Sequence, residues 1–322
     1  MRHAILVGLA CALVAPAGAL GADNPWLGRR VLHIAHQGGE SESPSNTMFA
    51  YQRALANGAD VLEMDVNITK DRQLVVFHDT SVDSRTNGTG RVNEMTLEQI
   101  KALDPADNWP EYRGIALGTK PPPDGYTRAD FQIPTLREVL ERYPDTLMNI
   151  EIKGPTPDST EPQVWAQQVL AGNPTALDCA VEMGRLLNEF HRVGNAIVVS
   201  FSDIATERFK LVAPEINTAT GLETTAAFYA TTAGPLPGLP NPQHVAVEPP
   251  TFFAGIEVPT ADFISGAHAN GLAVHVWLNS DDEESATTYG RLVDNGVDGI
   301  MTDYPSRLEP FLAARHLRFD EP

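Results

Sequence analysis

The stretch that decides the fold is residues 60–79, DVLEMDVNITKDRQLVVFHD. Glu63 and Asp65 lie within an apolar run and, with the two-residue period of a strand, project from one face. Buried carboxylates are costly unless a cation or hydrogen-bond donors meet them. The second apolar run ends at His78, and the short connection between the runs excludes a parallel crossover. We therefore expect a hairpin that brings His78 opposite Met64 or Asp65.

Short apolar runs recur along all of the chain. There are eight apart from the hairpin strand, at residues 31–35, 61–66, 147–152, 196–201, 217–222, 244–248, 272–278 and 297–303. Helical patterns lie between several of them, at residues 46–58, 135–144 and 260–271. This alternation predicts an α/β fold, a (β/α)8 TIM barrel with a hairpin after strand two. A doubly wound open sheet is the alternative, but no Gly-x-Gly-x-x-Gly follows the first strand.

Two stretches exceed normal connections, residues 104–134 and residues 154–185. Loops of this length are typical of insertions or lids. We expect both to shape access to the site, the alternative being inserts without a functional role.

Residues 1–22 have the pattern of a signal peptide: one Arg, an apolar stretch and small residues at the cleavage region. The alternatives are a buried N-terminal helix, or a lipoprotein anchored at Cys11, against which the poor lipobox before it argues. We expect residues 23–322 to form one domain, exported to the periplasm or secreted. Cleavage would leave Cys179 as a single, inert thiol.

The formal net charge of the 322-residue chain is −19. Such a charge repels nucleic acid and an anionic bilayer surface at long range, so neither is an expected partner. No second apolar run is long enough to span a membrane, and no stable membrane anchor is expected. The charge does not determine the oligomeric state. An acidic cleft is well suited to hold a divalent cation.

Further ionisable residues end neighbouring predicted strands. Glu151 and Lys153 share a face in NIEIKG, and His36 ends strand one. Active sites of barrels lie at the carboxyl ends of the strands, where these residues should meet Glu63 and Asp65.

Three carboxylates from two adjacent strands suit a hard cation, Ca²⁺ or Mg²⁺, with Glu63, Asp65 and Glu151 as its ligands. His36 and His78 would move protons beside it. Zinc fits less well, because no Cys/His set has ligand spacing. The alternatives are a salt bridge in which Lys153 and an Arg neutralise the acids, or a glycosidase pair of carboxylic acids.

Other residues near the predicted site have less specific signals. Gly38 and Gly39 would let backbone amides approach an anion. Trp277 is either an apolar wall for the substrate or a core residue. Asp303 is interpreted as structural. The remaining histidines are expected at surface or hydrogen-bonded positions; they are His33, His191, His244, His268 and His275.

From about Val31 to Leu308 the chain resembles the glycerophosphodiester phosphodiesterase family. The matching motifs are HQG (36–38), PSNT (44–47), EMDV (63–66), TKD (69–71), HD (78–79), TNGTGRVNEMTLEQI (86–100), IPTLREVL (133–140), NIEIK (149–153), VHVWLN (274–279) and GVDGIMTDYP (296–305).

The resemblance implies metal-dependent hydrolysis of a glycerophosphodiester to an alcohol and glycerol 3-phosphate. It implies Glu63, Asp65 and Glu151 as metal ligands and His36 and His78 as the acid–base pair. Lys153 would meet a phosphate oxygen of this small-molecule substrate. The alternatives are a lysophospholipase D-like enzyme that takes acylated substrates and a catalytically silent phosphodiester-binding barrel.

The chain departs from the family pattern at two positions. Gln37 stands where the family has an arginine that grips phosphate, and Ser45 stands where it has a glutamate. We expect weaker binding or an altered substrate preference, unless another cation such as Arg85 takes the place of the arginine.

Overall fold

Eight parallel strands form the ring of a barrel in the computed structural model, which describes residues 24–28, 31–232 and 244–318. They are β1 (Leu32–Ala35), β2 (Val61–Ile68), β4 (Leu147–Ile152), β5 (Ala196–Val199), β6 (Asn217–Thr218), β7 (Ala246–Val247), β10 (Ala273–Trp277) and β11 (Gly299–Thr302). β1 pairs with β2 and with β11, so the first and last strands are neighbours. One parallel bridge, Ala219 to Ala246, links β6 to β7 and nearly closes the ring.

All eight predicted barrel strands are therefore confirmed, with shorter bounds for several. The run at residues 217–222 is strand only over Asn217–Thr218, because Leu222 already begins a helix. The predicted signal peptide, residues 1–22, lies outside the described residues.

Helices alternate with these strands around the barrel. They are α1 (Met48–Ala56), α2 (Leu97–Lys101), α3 (Leu136–Arg142), α4 (Pro162–Leu170), α5 (Ala176–Glu189), α6 (Asp203–Lys210), α7 (Leu222–Thr232), α8 (Ala261–Ala269), α9 (Ala286–Asn295) and α10 (Pro305–Ala314). The three predicted helices correspond to α1, α3 and α8, which begin after the N-caps Thr47, Thr135 and Thr260. Each cap hydroxyl accepts a hydrogen bond from a free amide of the first turn.

The predicted hairpin is present. β3 (Leu74–Val76) is antiparallel to β2, with Val66 opposite Val76. This register places His78 level with Met64, as the sequence indicates. A second short hairpin, which the sequence analysis did not identify, joins β8 (Phe252–Phe253) to β9 (Ile256–Glu257).

The two long stretches differ from expectation. Residues 154–185 are largely helical, since they contain α4 and the start of α5, whose buried face packs against β2, β3 and β4. Residues 104–134 lie over α1, where Phe131 stacks on Phe49 with ring centroids 4.4 Å apart. Part of the second stretch is thus an ordinary barrel helix.

Inward-facing residues of the strands and Trp26 form one buried cluster inside the ring. Cys179 is free and buried in the surrounding layer, where burial raises the pKa of its thiol, in accord with an inert role. Among the described residues, no helix has the length and apolar character to cross a bilayer.

Candidate active site

Three carboxylates converge at the carboxyl end of β2 and β4. Asp65 lies directly opposite Glu151 in the parallel register, and Glu63 lies two residues earlier on β2. Each offers an oxygen within 4.8 Å of the others. Glu63 is 2% exposed and Asp65 is fully buried. The structure therefore brings together the predicted ligand set.

Lys153 is the cation nearest to this acid cluster. Its Nζ lies 2.8 Å from Glu151 Oε1 and 3.2 Å from Asp65 Oδ1. The second approach lacks hydrogen-bonding geometry, so Asp65 Oδ1 is buried without a hydrogen bond. The predicted alternative of a salt bridge is present in part, but the Lys153 ammonium and the His36 imidazole, 4.0 Å from Glu63, are two cationic groups against three carboxylates.

The pKa values of the acids reflect this shortage of positive charge. Burial, and then the charge of Asp65, raise the pKa of Glu63 well above its ordinary value. Burial also raises the pKa of Glu151, although Lys153 opposes the shift. Burial opposes ionisation of Asp65 as well, but Lys153 and the histidines hold its pKa below the ordinary value. An orphaned oxygen among three hard oxygen donors fits a divalent cation.

His36 lies at the end of β1, beside the acid cluster. Its Nδ1 is 2.5 Å from Asp303 Oδ1, and its Nε2 is 4.0 Å from Glu63 Oε2. Because a carboxylate only accepts, Nδ1 carries the proton. Burial opposes the charged imidazole, yet the hydrogen bond to Asp303 and the charge of Glu63 raise the pKa of His36 to about 10. The interpretation of Asp303 as only structural is therefore corrected: it orients His36.

His78 lies at the end of the hairpin strand. Its Nδ1 is 2.6 Å from Asp79 Oδ1 and donates to this carboxylate, so Nε2 is the ring nitrogen that can act on a substrate. Asp79 Oδ2 accepts from the Ser84 hydroxyl and, at 3.3 Å, from Arg85 Nε. Both predicted catalytic histidines thus have a carboxylate on Nδ1 and border the same cavity.

Gln37, a predicted substrate-binding residue, lies beside the acid cluster, but it is not among the described residues that line the cavities of the site. It adopts a left-handed backbone conformation at φ 51°, and its backbone amide donates to Glu63 Oε2 at 2.6 Å. Its side chain is fully buried, with Oε1 accepting from Asn46 Nδ2 and from Arg85 Nη1. Asn46 Nδ2 also donates to Asp65 Oδ2 at 2.9 Å, so Asn46 ties the loop after β1 to the acid cluster.

The tandem glycines allow close packing of the loop after β1. A Cβ on Gly38 would lie 2.8 Å from Ala50 Cβ, and one on Gly39 would lie 2.8 Å from Pro305 Cδ. Both glycines have positive φ, and the Gly39 amide already donates to His36 O at 2.7 Å. The Gly39 amide is thus already hydrogen-bonded, and the approach of an anion to the two glycines stays a prediction.

Two cavities meet at the acid cluster. One, of about 520 Å³, is lined mainly by hydroxyls and acids; the other, of about 340 Å³, has a largely apolar wall. Both are bordered by His78, Glu151, Lys153, Ser200 and Phe201. A ligand bound at the acids would therefore extend in two chemically different directions.

Trp277 and Glu248 line the apolar cavity. The Trp277 Nε1 donates to the Glu248 backbone oxygen at 3.2 Å, so this predicted wall residue does border the site. Sequence reasoning missed Glu248, whose Oε1 accepts from Asn149 Nδ2 at 2.7 Å and lies 3.4 Å from His275 Nδ1. Its signal in the sequence is an acidic residue at the carboxyl end of the predicted strand 244–248. Glu151 lies in the same way near the end of the predicted strand 147–152.

The long stretches contribute unequally to the cavities. Gly154, Thr156 and Ser159 line the hydroxyl-rich cavity, which confirms that the second stretch borders the site. Within the described residues, none from 104–134 lines either cavity, and an effect of this stretch on access stays a prediction.

An acid cluster with two carboxylate-paired histidines at the carboxyl end of a barrel suits hydrolysis of a phosphate ester. The sequence profile of the Glycerophosphoryl diester phosphodiesterase family matches residues 36–307. The chain belongs to this family, and it is a phosphodiesterase.

Individual relatives agree with the family match. The chain is 32% identical over 287 residues to the glycerophosphodiester phosphodiesterase of Caldanaerobacter subterraneus subsp. tengcongensis, covering 87% of this chain and 96% of that protein. It is 27% identical over 307 residues to the lysophospholipase D GDPD1 of Rattus norvegicus, covering 87% and 85%. The solved phosphodiesterase of Oleispira antarctica in complex with the product sn-glycerol-3-phosphate is similar in fold, with a TM-score of 0.61 at 19% identity, covering 88% and 97%.

Proposed function

We propose that the protein hydrolyses glycerophosphodiesters to an alcohol and glycerol 3-phosphate in a metal-dependent reaction. The observation that carries this proposal is that His36 and His78 line the same cavity as Glu63 and Glu151, each with a carboxylate on Nδ1. Together with the family membership, this arrangement supports proton transfer on both sides of a bound phosphodiester.

Glu63, Asp65 and Glu151 would hold Ca²⁺ or Mg²⁺, which suits their hard oxygen donors. When bound, such a cation neutralises charge on the phosphoryl oxygens. Lys153, buried beside Glu151, would contact another phosphoryl oxygen, and Trp277 would pack against the substrate. Gln37 would hold Glu63 in place through the hydrogen bond from its backbone amide.

The two histidines would divide the proton transfers. The hydrogen bond to Asp303 raises the pKa of His36, so His36 would carry the proton for the departing alkoxide. His78 would take the proton from the attacking oxygen, with Asp79 fixing its ring orientation.

The apolar wall favours a second candidate, hydrolysis of acylated lysophospholipids. Phe253 is 54% exposed and Leu222 is 42% exposed, and both line the cavity next to Trp277. Large apolar side chains held in solvent at the mouth of a site are typical of contacts with an apolar ligand.

A substrate panel tests the proposal and separates the candidates. Release of the alcohol would be measured from glycerophosphocholine and lysophosphatidylcholine, with EDTA or with added Ca²⁺ or Mg²⁺. We expect metal-dependent turnover of glycerophosphocholine that falls by about 10²–10⁴-fold in His78→Asn. The matched control is His268→Asn, since His268 pairs with Asp298 at 2.8 Å on the outer side of the barrel. Turnover that resists both EDTA and His78→Asn would refute the proposal.

For the acylated candidate, Phe253→Ser should lower kcat/KM for lysophosphatidylcholine and leave glycerophosphocholine unaffected. Phe252→Ser is the control, because Phe252 is in the same hairpin and is not among the described residues that line either cavity. Equal effects of both variants on both substrates would contradict an acyl contact at this wall.

We also propose that residues 1–22 direct export to the periplasm or the medium. N-terminal sequencing of protein recovered outside the cytoplasm should find a start near residue 23. Recovery of an uncleaved chain only from the cytoplasm would contradict export.

A further inference from the structure

Arg85 lies between the loops that carry the two catalytic histidines. On one side, its Nη1 donates to Gln37 Oε1 at 3.3 Å, to Glu40 Oε2 at 3.2 Å and to Ser45 Oγ at 3.0 Å. On the other side, its Nε donates to Asp79 Oδ2 at 3.3 Å. A single guanidinium therefore joins the loop after β1 to the loop after β3.

Two of the residues that Arg85 contacts, Asp79 and Gln37, make further hydrogen bonds to residues of the site. Asp79, which Arg85 holds, is the partner of His78 Nδ1 at 2.6 Å. Gln37 follows His36 in the chain and donates its amide to Glu63. Arg85 itself is not among the described residues that line either cavity. It is thus placed to act on the histidines indirectly.

The two residues that depart from the family motifs, Gln37 and Ser45, both contact Nη1 of Arg85. Gln37 and Ser45 are neutral acceptors for Nη1 of Arg85, where the family pattern has an arginine and a glutamate. An arginine at the fully buried position 37 would bring a second guanidinium against the first. A glutamate at position 45 would balance that added charge.

We propose that Arg85 is a positioning residue that holds His78, through Asp79, in place relative to His36, and that the residue types at positions 37 and 45 are coupled through their shared contact with Nη1 of Arg85. This role rests on the proposed function of the two histidines. This role differs from the expectation that Arg85 replaces the family arginine at the phosphate. Arg85 contacts the two loops and is not among the described residues that line either cavity.

Kinetics of Arg85→Gln and Arg85→Lys test the positioning role. We expect kcat to fall by about tenfold or more in Arg85→Gln, with KM nearly unchanged, as for residues that orient a catalytic group. Arg85→Lys should be intermediate, because a single ammonium nitrogen does not reproduce the separate contacts of Nε with Asp79 and of Nη1 with Ser45. Arg137→Gln is the matched control, since it breaks an exposed ion pair with Glu189 far from the site. A rise in KM with unchanged kcat would overturn the proposal in favour of direct substrate binding.

The coupled pair is tested by a double-mutant cycle. The cycle compares kcat/KM of the parent, Gln37→Arg, Ser45→Glu and the double variant. Gln37→Arg alone should lower kcat/KM, and the double variant should recover at least part of this loss. Additive effects of the two substitutions would overturn the coupling. Melting temperatures identify any variant that fails to fold, and Arg85→Lys then serves as the milder substitution.

A spectroscopic measurement separates this proposal from the function on which it rests. In protein labelled with ¹⁵N-histidine, the hydrogen-bonded Nδ1 proton of His78 should be visible in the parent and in Arg137→Gln, and weakened or lost in Arg85→Gln. This readout needs no substrate, so it still decides the role of Arg85 if the parent hydrolyses none of the tested phosphodiesters. An unchanged His78 signal in Arg85→Gln would overturn the proposal.

Discussion

His36 Nδ1 lies 2.5 Å from Asp303 Oδ1, although 267 positions of the chain separate the two residues. Asp303 is itself fixed, because its amide donates to buried Glu284 at 2.7 Å. The orientation of His36 thus depends on the last strand of the barrel, through a residue that contributes no metal ligand to the acid cluster.

Removing this carboxylate should impair catalysis without unfolding the protein. We expect Asp303→Asn to lower kcat by less than the roughly 10²–10⁴-fold that a positioned acid or base supplies. It should also lower the pKa of His36, because the hydrogen bond to Asp303 raises that pKa. The pKa is measured from the His36 imidazole resonances. Asp294→Asn, an exposed acid paired with Arg315, is the control, and equal kcat values in both variants would contradict the role of Asp303.

Metal binding should stabilise the folded protein. With Ca²⁺ or Mg²⁺ at 100 times its Kd, linkage adds about 2.7 kcal/mol to the free energy of unfolding, which thermal melting would detect. Glu151→Gln should abolish the increase. Glu248→Gln should preserve it, since Glu248 is a buried acid of the same cavity outside the three-acid cluster. A gain that survives in Glu151→Gln would place the cation elsewhere.

The stretch 104–134 should contribute to stability and not to turnover. Phe131 is fully buried and stacks on Phe49, so Phe131→Ala should cost about 3–5 kcal/mol of unfolding free energy. Denaturant unfolding measures this loss, and kcat/KM below the transition should stay at the parental value. A selective loss of kcat/KM without loss of stability would instead indicate a lid.

The thiol of Cys179 should be protected by the fold. It is buried and has a raised pKa, and the thiolate is the reactive form. In a chain that carries Cys11→Ser, a thiol reagent should label Cys179 in denaturant and leave it unlabelled in the native protein. Rapid labelling of the native protein would show that this helix opens readily.

Features with a period or a fixed spacing were predictable from the sequence. Alternation of side chains placed Glu63 and Asp65 on one face, and the short turn before β3 placed His78 beside them. Contacts made across the barrel were not predictable in this way. Arg85 and Asp303 reach the site through loop conformations and strand closure, which no local pattern encodes.

The boundaries of helices were also harder to predict than their existence. Residues 176–189 form a long helix after a region rich in Pro, Thr and Asn, and that composition concealed its start. The Thr175 and Asp178 side chains cap it reciprocally, which is the local signal that was overlooked.

The pairing of β1 with β11 has a consequence for biosynthesis. Asp303 emerges from the ribosome 267 residues after His36, the residue with which it pairs. A nascent or prematurely terminated polypeptide therefore lacks an oriented imidazole, however well its earlier strands have assembled. With His36 in its proposed role, activity would therefore require that β11 has paired with β1.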